Sequence, residues 1–159
     1  MNNENLPDNV IIRPMAETDV SEIHNIHTNC LQTSLANHYT HQQLQAWLYG
    51  RTPEGYWRSQ QAGSPYLVAT INDTLIGYAN WMDEELMSLF IQPNFQKSGI
   101  GTKLFQACDD QATLSCVKAT LSAVDFYKKF GFEADHEGYD IKHEVPIPHI
   151  FMQRRHYTR

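Results

Sequence analysis

The residues whose types and spacing most directly promise chemistry are Gln96-Lys97-Ser98-Gly99-Ile100-Gly101-Thr102, because a strand-like pattern enters this stretch and an amphipathic helical pattern leaves it. Gly99 and Gly101 lack a Cβ, so the backbone there can turn tightly and present N–H groups to an anion. It does so at a helix start, where the macrodipole also favours negative charge. A phosphate is the expected occupant. A nucleoside triphosphate loop requires Gly-x-x-x-x-Gly-Lys-Ser/Thr and a dinucleotide loop requires Gly-x-Gly-x-x-Gly. Here the third residue after Gly101 is Leu104, and the preceding strand leaves a run of hairpins rather than opening a βαβ unit, so neither pattern is met. His24-x-x-His27 and His38-x-x-His41 have the spacing of paired metal ligands, but neither pair has a third ligand at a clear interval, and no metal is expected. Cys30, Cys108 and Cys116 form no Cys-x-x-Cys pair and read as core thiols.

The elements that must position the loop follow from periodicity. Val10 to Arg13 reads as a short strand stopped by Pro14, and Asp19 with Glu22 resembles a helix N-cap and its box. Val20, Ile23, Ile26, Cys30 and Leu31 form one apolar stripe of the first helix; Thr40 and Gln43 open a second, carrying Leu44, Trp47 and Leu48 and stopped at Gly50. Beyond Gly63-Ser64-Pro65 the period changes. Tyr66 to Ile71 and Thr74 to Met82 form a hairpin around Asn72-Asp73, and Asp83-Glu84 turns the chain into a third strand, Glu85 to Ile91. After the glycine loop come a helix with Leu104, Phe105 and Cys108, a buried strand from Ser115 to Thr120, and a brief helix capped by Ser122 and ended by Gly131. Two strands, about Tyr139 to Glu144 and His149 to Arg154, flank a loop holding Pro146 and Pro148. The order β-α-α-β-β-β-α-β-α-β-β describes a mixed α/β domain with a mostly antiparallel sheet of about seven strands and about four helices.

A chain of 159 residues is expected to form a single domain, residues 1–159, with its core at about 10–155. Its 42% apolar and 19% charged content fits a folded globular protein rather than a disordered one. Twelve basic against eighteen acidic residues give a formal net charge of −6, which argues against a nucleic-acid partner and favours a cationic small molecule or a peptide amine. Met1 to Asn5 lacks the basic and apolar regions of a signal peptide, and no apolar run is long enough to span a membrane; a cytoplasmic location without membrane association is the expectation.

The segment Gln96-Lys97-Ser98-Gly99-Ile100-Gly101 resembles motif A of the GNAT superfamily of acyl-CoA-dependent N-acetyltransferases, written Gln/Arg-x-x-Gly-x-Gly/Ala. The approach Leu89-Phe90-Ile91-Gln92-Pro93-Asn94-Phe95-Gln96 is similar to that family's strand end. Ala123-Val124-Asp125-Phe126-Tyr127-Lys128-Lys129-Phe130-Gly131-Phe132 is similar to a second family motif. Ile12-Arg13-Pro14 and Asp19 resemble the family's opening strand and first helix, and His38-Tyr39-Thr40 through Trp47 resembles one bacterial branch.

The resemblance implies that acetyl-CoA is the donor cosubstrate, its pyrophosphate held by backbone N–H groups over Gln96, Lys97, Ser98, Gly99, Ile100, Gly101 and Thr102, with Lys97 and Lys103 adding attraction. It implies that the pantetheine arm lies along Leu89, Phe90 and Ile91, with a backbone N–H near Leu89 stabilising the oxyanion. It implies that Tyr127 protonates the departing thiolate, which is chemically sensible for a phenol of pKa ~10 facing a thiol of pKa ~8.5. Ser122 stands where many members carry an asparagine that contacts pantetheine. No carboxylate occurs between Cys116 and Thr120, where some members keep a catalytic glutamate, so Glu85 is the candidate base, with Glu84, His24, His27 and His38 as alternatives. The expected activity is acetyl transfer to a primary amine of a small molecule or peptide by direct attack in a ternary complex. A catalytically weak or inactive CoA-binding sensor or interaction module is the alternative, and homodimerisation is an expectation from family habit alone. A toxin-like enzyme acting on aminoacyl-tRNA would need a cationic surface that the net charge of −6 disfavours.

Overall fold

The computed structural model describes residues 6–7 and 9–155. Seven strands form one sheet: β1 (Val10–Pro14), β2 (Tyr66–Ile71), β3 (Thr74–Met82), β4 (Glu85–Ile91), β5 (Cys116–Ala119), β6 (Glu133–Lys142) and β7 (Val145–Gln153). Their order across the sheet is β1-β2-β3-β4-β5-β7-β6, and every neighbouring pair is antiparallel except β4 with β5. The expected mixed α/β architecture is therefore present. Helices α1 (Val20–Gln32), α2 (His41–Leu48), α3 (Pro53–Gln61), α4 (Ile100–Ala112) and α5 (Val124–Lys128) complete it, α5 being only five residues long.

Side-chain alternation along β2 shows how the sheet is covered on both faces. Leu67 and Ala69 pack with Ile100, Leu104, Phe105 and Cys108 of α4; Val68 packs on the opposite face with Ile23 and Ile26 of α1 and Tyr56 of α3. Each fully buried aliphatic side chain here contributes roughly 1.5–3 kcal/mol. The α1 stripe read from sequence is the buried one, with Ile23, Ile26, Cys30 and Leu31 all inaccessible. Asn72 and Asp73 both have positive φ (49° and 65°), the two-residue turn that suits the right-handed twist of a hairpin. The Thr40–Gln43 capping box is formed.

The structure corrects the sequence reading at four places. Residues 53–61, to which the pattern assigns no element, are helical; Pro53 at the first turn was the available signal, masked by a polar composition. Asp19 does not cap α1. Its carboxylate accepts from the Ala16 N–H (2.7 Å) and from both terminal nitrogens of Arg13 (2.8 and 3.0 Å), bracing a 3₁₀ turn before the helix, and these bonds hold its pKa below the ordinary carboxylate value. The cap of α5 is Ala123 rather than Ser122, with no side-chain bond.

The fourth correction concerns the last hairpin, which turns at His143-Glu144 so that Pro146 and Pro148 lie inside β7. A proline has no N–H to give, so an interior position is allowed only where the strand edge is unpaired. Before Ile150, β7 has no partner on its β5 side, and the carbonyls of Pro146 and Pro148 on that edge accept instead from Gln43 Nε2 (3.3 Å) and the Tyr39 hydroxyl (3.1 Å). Among the described residues no helix is long and apolar enough to cross a membrane.

Candidate active site

The sheet splits in its middle. β4 and β5 pair only at Glu85↔Cys116 and Leu86↔Val117, after which β5 stays with β7 while β4 stays with β3 as far as Gly77↔Ile91. The register between β3 and β4 passes from Asn80↔Ser88 to Trp81↔Leu86, leaving Met87 as a bulge that bends β4 away from β5. Just beyond the ladder, the Gln92 N–H bonds to Ile76 O (2.8 Å). By strict antiparallel alternation, Leu89 and Ile91 therefore turn their backbone groups away from β3 and into the gap. The Ile91 carbonyl confirms this alternation, since it accepts from Cys30 Sγ (3.1 Å) and Gln96 Nε2 (3.0 Å) on that side. Across the gap the Tyr39 hydroxyl donates to Pro148 O and accepts from the Leu121 N–H (3.0 Å), pinning the opposite wall.

A cleft of about 550 Å³ occupies the split, lined by Leu89, Phe90, Ile91, Gln96, Lys97, Gly99, Gly101, Thr102, Ser122 and Tyr127 among others. At its mouth Gly99 has φ +86°, the left-handed conformation glycine tolerates, and α4 begins with the next residue. The first backbone bond back to this turn is Lys103 N–H to Gly99 O (3.1 Å), so the N–H groups of Ile100, Gly101 and Thr102 are the helix's unpartnered first-turn donors. A Cβ on Gly101 would meet the Phe126 ring no closer than 3.4 Å, ordinary contact, so its bareness matters to the cleft rather than to the packing.

The other loop residues brace this geometry. Ser98 donates to Phe95 O, and Gln96 ties the loop to Ile91 and to Ser34 Oγ (2.9 Å). The Ile100 side chain is fully buried, which leaves only its backbone to the cleft. Lys103, expected to face the anion, instead donates to Val10 O (3.1 Å) and is turned toward β1. Lys129, overlooked in the sequence, lines the cleft with its ammonium 5.0 Å from the Phe126 ring; its place at the end of α5, three residues after Phe126, was the signal. Ser122 lines the cleft with its hydroxyl 3.4 Å from Thr120 Oγ1.

Tyr127 lies where this cleft meets a second cavity of about 300 Å³ on the other side of the split. The side chain is 5% exposed and edge-on to Phe105, Phe126 and Phe132. Behind it Gly131, at φ +90°, ends α5 and lets the Phe132 N–H reach Tyr127 O (3.3 Å), a closure that fixes the helix turn carrying the phenol. Burial, with Cys108 as a lesser contributor, pushes the Tyr127 pKa well above the ordinary phenol value.

Glu85 opens β4 and lines the second cavity, half-buried. His27 lines it too, but its Nδ1 faces the Arg51 guanidinium and the Tyr56 hydroxyl (3.0 Å), and burial followed by Arg51 drives its pKa well below 6.5. The lone pair on Nδ1 is therefore engaged, which removes His27 as a free base. His24 packs edge-on to Tyr56 and His38 is exposed; neither lines the cavity. His149, which the sequence reading did not single out for chemistry, lies in this cavity with Nδ1 3.2 Å from Asp140 Oδ2 and its ring over Gly138. Only the β6–β7 register, invisible in the sequence, brings these three together.

A family model described as an acetyltransferase (GNAT) domain matches residues 35–154. An Escherichia coli protein, the uncharacterized N-acetyltransferase YafP, is 25% identical over 125 residues, spanning 79% of this chain and 82% of its own length. Among solved structures, a GCN5-related N-acetyltransferase from Rhodopseudomonas palustris superposes with a TM-score of 0.83 at 21% identity, covering 91% of this chain and 94% of that one. The PaiA N-acetyltransferase of Thermoplasma acidophilum, solved with coenzyme A, gives a TM-score of 0.73 at 19% identity over 92% of this chain and 99% of its own. At these identities the structural likeness is one of fold.

Proposed function

Since the chain belongs to the GNAT acetyltransferase family and is an N-acetyltransferase of that type, we propose that it moves the acetyl group of acetyl-CoA to a primary amine by direct attack in a ternary complex. The observation that carries this reading is the split between β4 and β5, which leaves two cavities meeting at Tyr127. One cavity begins at the α4 N-terminus and suits the donor; the other contains ionisable groups and suits the acceptor.

The donor pyrophosphate sits against the N–H groups of Ile100, Gly101 and Thr102, where unpartnered donors and the helix macrodipole both favour an anion, with Lys97 and Lys129 adding charge at the rim. Pantetheine then runs along Leu89 and Ile91, taking the place of the missing β5 ladder against the backbone groups there that have no partner of their own. The Leu89 N–H bonds the thioester oxygen as negative charge grows on it; loss of such a donor typically costs ~3–4 kcal/mol of transition-state stabilisation. Glu85 accepts the ammonium proton, directly or through water, before the amine attacks. Collapse of the tetrahedral intermediate expels the CoA thiolate, Tyr127 delivers a proton to it, and the proton lost from the acceptor nitrogen as the amide forms restores the phenol, directly or through water.

The test is release of CoA thiol from acetyl-CoA, followed in parallel with mass spectrometry of the acceptor, using wild type and Glu85→Gln. Thiol release that requires an amine and matches N-acetyl product one for one is expected, reduced at least tenfold in Glu85→Gln near neutral pH. Micromolar CoA binding without turnover of any amine would instead favour a CoA-binding sensor.

A further inference from the structure

The acceptor cavity contains two cations that form no ion pair, although the carboxylates of Glu85 and Asp140 also line it. Arg51, in the connection between α2 and α3, and Lys142, at the end of β6, both line the 300 Å³ cavity that reaches Tyr127 and a neighbouring cavity of about 540 Å³ opening beside it. Among the described residues neither takes part in an ion pair. Asp140, the nearby acid on β6, is already engaged by Lys118 and His149, each at 3.2 Å.

The groups around Arg51 are neutral. Its guanidinium bonds His27 Nδ1 and the Tyr56 hydroxyl (3.3 Å), lies over the Tyr56 ring at 5.5 Å, and keeps a buried Nε–H with no partner. These contacts hold the fork in one orientation without neutralising it. Lys142 extends over the Trp47 ring at 5.8 Å, and burial together with the Arg51 charge lowers its pKa against a smaller opposing pull from Asp140. Two like charges sharing a partly dry cavity repel, and a neutral or cationic acceptor would leave that repulsion in place. A carboxylate between them reverses its sign, and a planar guanidinium fork matches carboxylate geometry.

We propose that Arg51 and Lys142 form an anion subsite, and that the acceptor is a small amine that also carries a carboxylate, an amino acid or a close analogue, with its amine toward Tyr127 and its carboxylate between the two cations. The assignment of the amine rests on the acetyl-transfer reading above; the subsite itself does not. A cavity of about 300 Å³ is at the small end for ligand pockets, which favours a free amino acid over a folded protein terminus.

The test compares the proteinogenic L-amino acids with their carboxamides, and with spermidine, as acceptors for wild type, Lys142→Met and Lys142→Arg. Wild type is expected to use the best acid about tenfold or more better than its amide in kcat/KM, as befits a charged hydrogen bond. That acid-to-amide ratio falls toward one in Lys142→Met and returns in Lys142→Arg. Equal use of acid and amide, or preference for spermidine, would overturn the subsite while leaving acetyl transfer standing. If no amine is acetylated, calorimetric titration of N-acetyl amino acids and their amides into the CoA-loaded protein reads the subsite alone. Acid-selective binding lost in Lys142→Met upholds it while the acetyl-transfer reading falls; absence of selectivity overturns it.

Discussion

Tyr127→Phe is expected to lower kcat by about 10²-fold or more while changing the affinity for acetyl-CoA little, because it removes one proton donor and leaves the ring packing in place. The phenyl ring of the variant retains the contacts with Phe105, Phe126 and Phe132 that shape the cleft. What disappears is the hydroxyl of a residue that lines both cavities. The sign of the pH dependence follows from burial. Tyr127 is held above the ordinary phenol pKa, so it stays protonated through the neutral and moderately alkaline range and contributes no falling limb to kcat below about pH 10. A departing thiolate with a pKa near ~8.5 is the stronger acid's conjugate base, so full transfer from the buried phenol needs the charge on Tyr127 to be relieved by solvent or by the acceptor's proton. Steady-state rates of wild type and variant across pH 6 to 10 check this, and equal turnover throughout would remove Tyr127 from the mechanism.

Arg154→Met is expected to cause the largest loss of stability, about 3–5 kcal/mol, the usual consequence of stripping one partner from a buried ion pair. Arg154 pairs with Asp109 and also donates to Leu114 O (2.8 Å) and Phe130 O (2.9 Å), with its guanidinium 4.7 Å from the Phe132 ring centroid. The two paired side chains are only 7% and 11% exposed, so the remaining carboxylate cannot simply turn to water. For a chain of this size the loss corresponds to a fall in Tm of roughly 6–20 °C. A variant melting within a degree or two of wild type would contradict the assignment. The same arginine links the ends of α4, α5 and β7, so this pair also supports the walls behind Tyr127.

What was legible in the sequence was local or periodic. The α1 stripe, the Thr40 cap, the Asn72-Asp73 turn and the glycine loop each declare themselves within a few residues, and the structure has all four. Asp19 carried a helix-cap signal that a nearby guanidinium overrode, and Pro146 and Pro148 looked like a loop because the unpaired edge that tolerates them is a property of the whole sheet. On the proposed donor side, the residues of β4 and the start of α4 lie close together in the chain and could be named in advance, while Cys30, Ser34, Leu35 and Lys129 come to the cleft from elsewhere. The proposed acceptor side is assembled from α1, the α2–α3 connection, β4, β5, β6 and β7. Arg51, Lys142, Asp140 and His149 are scattered along the sequence, and only sheet register and helix packing bring them to one cavity. Lys103 shows the same limit at short range: adjacency to the glycine loop suggested an anion contact, but helical rotation carried it to Val10 O.

A crystal structure with coenzyme A bound tests the central claim most directly. The pyrophosphate oxygens are expected within hydrogen-bond distance of the N–H groups of Ile100, Gly101 and Thr102. The pantetheine is expected between β4 and β5 against Leu89 and Ile91, with its sulfur beside the Tyr127 hydroxyl. A coenzyme lying instead in the cavity beside Arg51 and Tyr49, or with its sulfur remote from Tyr127, would contradict the account.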